Sequence, residues 1–191
     1  SARNDVVSLL HVPASKCVVM HLAGSYSYNC CDNSPSCGTD EAPFILYVGE
    51  YRSPYKNFKM LLKAIKSDPS GRIAAYRLVV VSATEPTSQE KEEFYTLLGS
   101  KKLMFDAACS DRKLRRYYSM CAAFVCPSLY EGFGIPVLEA LENGSPVACS
   151  NHASLPEIGG SLACYFDPSN CEAMAAAIWK AIKQERDDQL V

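Results

Sequence analysis

The run Pro127-Ser128-Leu129-Tyr130-Glu131-Gly132-Phe133-Gly134-Ile135-Pro136-Val137-Leu138-Glu139-Ala140 holds two carboxylates eight positions apart. A Gly-x-Gly turn and a proline lie between them. Gly132 and Gly134 let a ligand approach the backbone closely and adopt conformations that other residues resist. Pro136 suits the first turn of a helix, where its missing N–H costs nothing. A helix starting here aims free backbone N–H groups at the turn, an arrangement that favours a phosphate. Glu139, one turn inside that helix, can accept hydrogen bonds from a sugar diol, and Glu131, before the turn, can do the same for a second sugar. Two hydroxyl-binding carboxylates around a phosphate site match the chemistry of a nucleotide sugar.

Short apolar runs alternating with helical patterns must position these groups. Strands are expected over residues 17–21, 44–48, 77–81, 102–105, 123–126, 146–149 and 162–166. Helices are expected over 57–66, 88–98, 111–120, 136–142 and 170–183. This rhythm predicts an α/β fold, a Rossmann-like parallel sheet with helices on both faces. Asn143-Gly144 reads as the end of the motif helix, and Asn170 as the cap of the last one. Residues 22–43, rich in Ser, Asn, Gly, Cys and Pro, interrupt the rhythm and read as a long loop. The expected division is therefore 1–43, a leading segment that ends in a linker, followed by 44–191, a nucleotide-sugar-binding domain.

The 191 residues suffice for one domain with a sizeable core. A net charge of −2 excludes the basic footprint of a nucleic-acid binder, and no apolar run reaches the length of a membrane span. Of ten cysteines, seven (17, 109, 121, 126, 149, 164 and 171) sit mostly in apolar segments and read as small hydrophobes. Cys30, Cys31 and Cys37 share a polar loop without a histidine, a poor zinc set that reads as reduced thiols. No metal site and no cofactor is expected. His152 reads as an exposed loop residue.

The motif resembles the E-x7-E signature of retaining glycosyltransferases of family 4, which have the GT-B fold. Tyr47-Val48-Gly49, Lys56-Asn57, Arg77-Leu78-Val79-Val80-Val81, Ser110-Asp111, Tyr118, Pro127-Ser128, Gly144-Ser145-Pro146-Val147 and Ser154-Leu155-Pro156-Glu157 follow in the family's order. The resemblance covers roughly residues 44 to 183. It implies that this is the C-terminal, donor-binding half of such an enzyme, with residues 1–43 its crossover segment and linker. A nucleoside diphosphate sugar would be the partner, GDP- or UDP-linked, with GDP-mannose the first candidate. A second, N-terminal Rossmann domain would come in cis or as a separate subunit, and without it the chain is expected to be inactive. Location in the cytoplasm, or peripherally on a membrane face, goes with this.

The resemblance also implies residue roles. Lys56, after Gly49, would bind phosphate; the family's usual arginine directly after that glycine is here Glu50, so Arg52 is the expected substitute. Glu139 would hold the ribose, and Glu131 the donor sugar. The backbone of Gly132, Phe133, Gly134 and Ile135 would face the distal phosphate. The base would sit near the end of the strand in residues 102–108. Ser82 stands where the family has glycine. No D-x-D triplet is present, which points to metal-independent transfer. Tyr117 and Tyr118 are expected to pack beneath the motif. Glu50 and Ser82 leave a second reading open, a non-enzymatic or degenerate module that binds nucleotide sugars or serves assembly.

Overall fold

A computed structural model describes residues 2–19 and 42–184. A helix, α1 (Ala2–Leu9), opens the chain, and six strands follow with helices between them: β1 (Phe44–Val48), α2 (Phe58–Lys66), β2 (Arg77–Val81), α3 (Ser88–Leu98), β3 (Leu103–Asp106), α4 (Asp111–Met120), β4 (Ala123–Cys126), α5 (Ile135–Glu142), β5 (Val147–Ser150), α6 (Leu155–Gly159), β6 (Ala163–Phe166) and α7 (Cys171–Ile182). All strand pairs are parallel, in the order β3-β2-β1-β4-β5-β6. The α/β, Rossmann-like class expected from the sequence is the one observed.

The strands are continuous apolar runs because both faces of the sheet are covered. Alternate residues feed two cores. Ile45, Tyr47, Leu78 and Val80 face α2, α3 and α7, where Phe58, Phe94 and Ile178 are buried with them. Phe44, Leu46, Val79 and Val81 face the other way, onto Tyr118 of α4, Val137 and Ala140 of α5, and Leu155. Register is fixed by this alternation, since a one-residue slip would exchange the two cores. Phe58 anchors an aromatic cluster, with ring centroids 5.0 Å from Tyr47, 5.4 Å from Phe94 and 5.8 Å from Tyr51.

Three expectations change. The strand proposed for 17–21 is not one where it is described: Cys17 is extended after a 3-10 turn at Ala14–Lys16, and residues 17–19 pair with nothing in the sheet. Its remainder, His21 included, lies outside the described residues, as do Cys30, Cys31 and Cys37. Helices α1 and α6 have no counterpart among the elements expected from the sequence. Of the seven other cysteines, Cys121, Cys126, Cys149 and Cys164 are buried in the cores. Among the described residues no helix is long and apolar enough to cross a membrane.

Candidate functional site

The strand order reverses direction between β1 and β4, whose connections run to opposite sides of the sheet. In open α/β sheets, ligands bind beyond the strand ends at such a switch point. The loops leaving β1 and β4 are the ones that carry Gly49–Lys56 and the carboxylate motif.

After β1 the chain turns at Gly49, whose φ is +150° and whose N–H donates to the Val81 carbonyl at 2.9 Å. A 3-10 turn at Pro54–Lys56 follows, then Asn57 in the left-handed region at φ +56°. Asparagine tolerates that conformation better than most residues. Its side-chain amide donates to the carbonyls of Pro127 (3.0 Å) and Pro168 (2.8 Å), joining the ends of β1, β4 and β6. The Leu129 N–H adds a bond to the Tyr55 carbonyl at 2.7 Å. The two loops are thus fixed to each other by backbone as well as side chains.

Lys56 and Glu131 meet at that seam, Nζ to Oε1 at 2.7 Å, with side chains only 15% and 11% exposed. Ser128 donates its hydroxyl to the same Oε1 at 2.6 Å. The motif backbone is held from a third element: Ser154, at the start of α6, places Oγ 2.9 Å from the Glu131 carbonyl and 2.8 Å from that of Phe133. A serine there commonly caps its own helix; this one makes no cap bond and serves the neighbouring loop instead.

Gly134 begins α5 at φ +97°, and a Cβ there would lie 2.8 Å from Leu155 Cδ2, so both conformation and space require glycine. Pro136 occupies the first turn. The N–H groups of Phe133, Gly134 and Ile135 have no acceptor among the described residues, which leaves the positive end of the helix presented at the turn. Gly132 is exposed there, with open space around its Cα. Glu139, one turn further on, accepts from the Tyr118 hydroxyl at 3.0 Å. Tyr118 therefore does more than pack beneath the motif: it orients the second carboxylate.

Arg52 is not brought to Lys56 and Glu131. Its Nε and Nη2 make a two-pronged pair with Glu90 at 2.8 Å each, and Nη1 donates to Thr84 at 3.0 Å. The Glu90 bond raises the guanidinium pKa further above its ordinary value. Glu50 accepts from Thr84 at 3.1 Å and from the Arg52 N–H at 3.2 Å. Ser82 is buried with no partner for its hydroxyl among the described residues. Tyr47 is in the same condition beneath Gly49, its phenol pKa raised chiefly by burial and further by Cys126 and Glu131.

Beside the end of β3 lies a cavity of about 380 Å³, lined among others by Phe105, Asp106, Ala108, Lys113 and Tyr117. Asp106 pairs with Lys113 at 2.7 Å and accepts from the Tyr117 hydroxyl at 3.0 Å. Burial raises its pKa, but these donors outweigh that and hold it below the ordinary carboxylate value. His152 is exposed. Among the described residues no group of three or more His, Cys, Asp and Glu could hold a metal ion.

Sequence reasoning gives no role to Ser128 and Ser154. Ser128 is visible inside the motif three residues before Glu131, a spacing that lets a hydroxyl reach a carboxylate. Ser154 reaches its acceptors across more than twenty residues, and no local pattern signals that.

Residues 35–190 match the family described as "Glycosyl transferases group 1". The chain is 29% identical to the O-antigen chain mannosyltransferase B of Escherichia coli, over 96% of this chain and 50% of that protein. It is 34% identical to the serotype-specific mannosyltransferase WbdA of Escherichia coli, over 69% of this chain and 17% of that one. Among solved structures, the sucrose-phosphate synthase of Thermosynechococcus elongatus superposes with a TM-score of 0.61 at 23% identity, over 93% of this chain and 39% of that chain. The chain spans about half or less of the length of these proteins.

Proposed function

The chain belongs to the glycosyl transferases group 1 family, and from that premise we propose that residues 44–191 are the donor-binding half of a retaining glycosyltransferase that takes a nucleoside diphosphate sugar. The observation that carries this reading is the meeting of Lys56, Glu131 and the α5 N-terminus at the β1/β4 switch point. A cation, unbonded backbone N–H groups and two carboxylates are there the complement of a diphosphate between two polyols.

Each group then has its part in the reaction. Lys56 and the N–H groups of Phe133, Gly134 and Ile135 meet the charge that builds on the departing diphosphate, a stabilisation that pre-oriented donors supply well. Gly49, Gly132 and Gly134 keep the phosphate path clear. Glu139, oriented by Tyr118, accepts from the ribose hydroxyls. Glu131 accepts from a hydroxyl of the donor sugar. The base enters the cavity beside the end of β3. Arg52 becomes a second cation if it releases Glu90. No metal is needed in this scheme, and no protein nucleophile: the leaving phosphate helps deprotonate the acceptor hydroxyl on the face it departs from, so configuration is retained. A second Rossmann domain, in cis or as a separate subunit, brings the acceptor and excludes water on closing. Residues 1–43 then form the crossover and linker towards it, and this chain alone does not transfer sugar. Both Escherichia coli relatives are named as mannosyltransferases, which makes mannose, carried by GDP, the first donor to test.

Calorimetric titration of the chain with GDP, UDP and ADP in magnesium-free buffer tests the reading. One nucleotide should bind, and Glu139→Ala should weaken it at least tenfold, since hydrogen bonds to a charged group are among the stronger ones. The second reading, a degenerate or assembly module, is favoured by the engagement of Arg52 with Glu90. It predicts at most weak binding of the three, and no sugar transfer with any added acceptor domain.

A further inference from the structure

Glu131 is held unevenly. Oε1 receives both Lys56 Nζ at 2.7 Å and Ser128 Oγ at 2.6 Å, while Oε2 makes no hydrogen bond among the described residues. Two donors on one oxygen fix the torsion of the carboxylate and leave the other oxygen able to accept. The two donors differ in how movable they are. Lys56 is a long side chain on a loop. Ser128 is 1% exposed and directly follows the buried end of β4 and Pro127, and among the described residues its hydroxyl has only Cys126 Sγ, at 3.7 Å, as an alternative contact.

Resting on the donor-site reading, we propose that Ser128 is a positioning residue for Glu131. It holds Oε1 so that Oε2 meets a hydroxyl of the donor sugar, and it continues to do so when Lys56 turns to the diphosphate. The ion pair that fixes Glu131 here is the one a diphosphate must take apart, because the same ammonium is wanted by both anions. A carboxylate held by Lys56 alone would lose its orientation at the moment the sugar arrives. The Ser128 hydroxyl is too short and too buried to follow the phosphate, so it retains the carboxylate. Ser154 acts elsewhere, on the backbone: its hydroxyl holds the carbonyls of Glu131 and Phe133 and so supports the whole turn.

Two measurements separate these roles. The first needs no ligand: crystal structures of Lys56→Met and of the double variant Lys56→Met/Ser128→Ala. Glu131 should keep its rotamer in the single variant and leave it in the double one. Departure already in the single variant, or retention in the double, overturns the proposal. The second compares affinities for GDP and GDP-mannose. Ser128→Ala should leave GDP within about twofold and weaken GDP-mannose about tenfold, the scale of one lost charged hydrogen bond, whereas Ser154→Ala should weaken both alike. An equal loss for both ligands in Ser128→Ala would assign it to the turn as a whole and sink the positioning role. If the unaltered protein binds neither ligand, the donor-site reading fails, and the crystal structures still decide whether Ser128 holds Glu131.

Discussion

At the scale of single residues, the hydroxyl of Tyr47 is the sharpest anomaly near the site. It is buried among Gly49, Lys56 and Phe58, yet nothing among the described residues accepts its proton. An unsatisfied buried hydroxyl costs on the order of 1–3 kcal/mol, whereas an apolar group of the same shape costs little. Tyr47→Phe should therefore raise the unfolding free energy by about 1 kcal/mol, read from urea denaturation. A loss of stability would show that the hydroxyl has a partner. Loss of nucleotide affinity in a stable variant would show that it serves the ligand. Arg52 carries the opposite lesson. Its proximity in sequence to Gly49 marks it for the phosphate, but a guanidinium prefers a forked carboxylate partner, and the one it finds, Glu90, lies 38 positions away.

At the scale of elements, the start of α3 ties that arginine to a helix cap. Thr87 accepts from the Glu90 N–H while the Glu90 carboxylate accepts from the Thr87 N–H, a reciprocal capping box. Arg52 first and the Thr87 N–H second hold the Glu90 carboxyl at about 2, below its ordinary 4.5. A carboxyl depressed in the folded state stabilises the fold above its unfolded pKa and ceases to do so as pH falls towards the folded value. The thermal midpoint of the protein should thus exceed that of Glu90→Gln near neutrality, and the gap should close between about pH 4.5 and pH 2. A gap that stays constant through that window would rule the linkage out.

The same scale shows what the sequence discloses. Strands β1, β2 and β4 and helices α3 and α4 lie where their patterns predict, because parallel strands are unbroken apolar runs bounded by turn residues and both helices start at a Thr or Ser cap. Helix α6, at five residues, is too short to carry a period, so its pattern reads as loop. The apolar run from Cys17 offers strand composition, but a strand needs a neighbour, and a linear pattern does not say whether one is present. In the site, the motif residues are legible from their spacing; the contacts of the Ser154 and Tyr118 hydroxyls are not, since only the folded sheet brings them there.

At the scale of the whole molecule, one sheet separates two cores, and damage to either side should be felt by both. Phe58 is 1% exposed at the centre of the aromatic cluster on one face. Phe58→Ala should cost about 3–5 kcal/mol. Far-ultraviolet dichroism and the fluorescence of Trp179, the single tryptophan, should then shift to lower urea together. Separate transitions would mean that the two faces unfold independently. The strand order has a further consequence, in time. β1 pairs first with β2, which takes β3 on its far side, and the other edge of β1 waits for β4. Lys56 and Glu131 are 75 positions apart, so at about 5–20 residues per second of synthesis the first wall of the site exists roughly 4–15 seconds before its counterpart is made. For that interval on the ribosome, the central strand of the finished protein is an open edge.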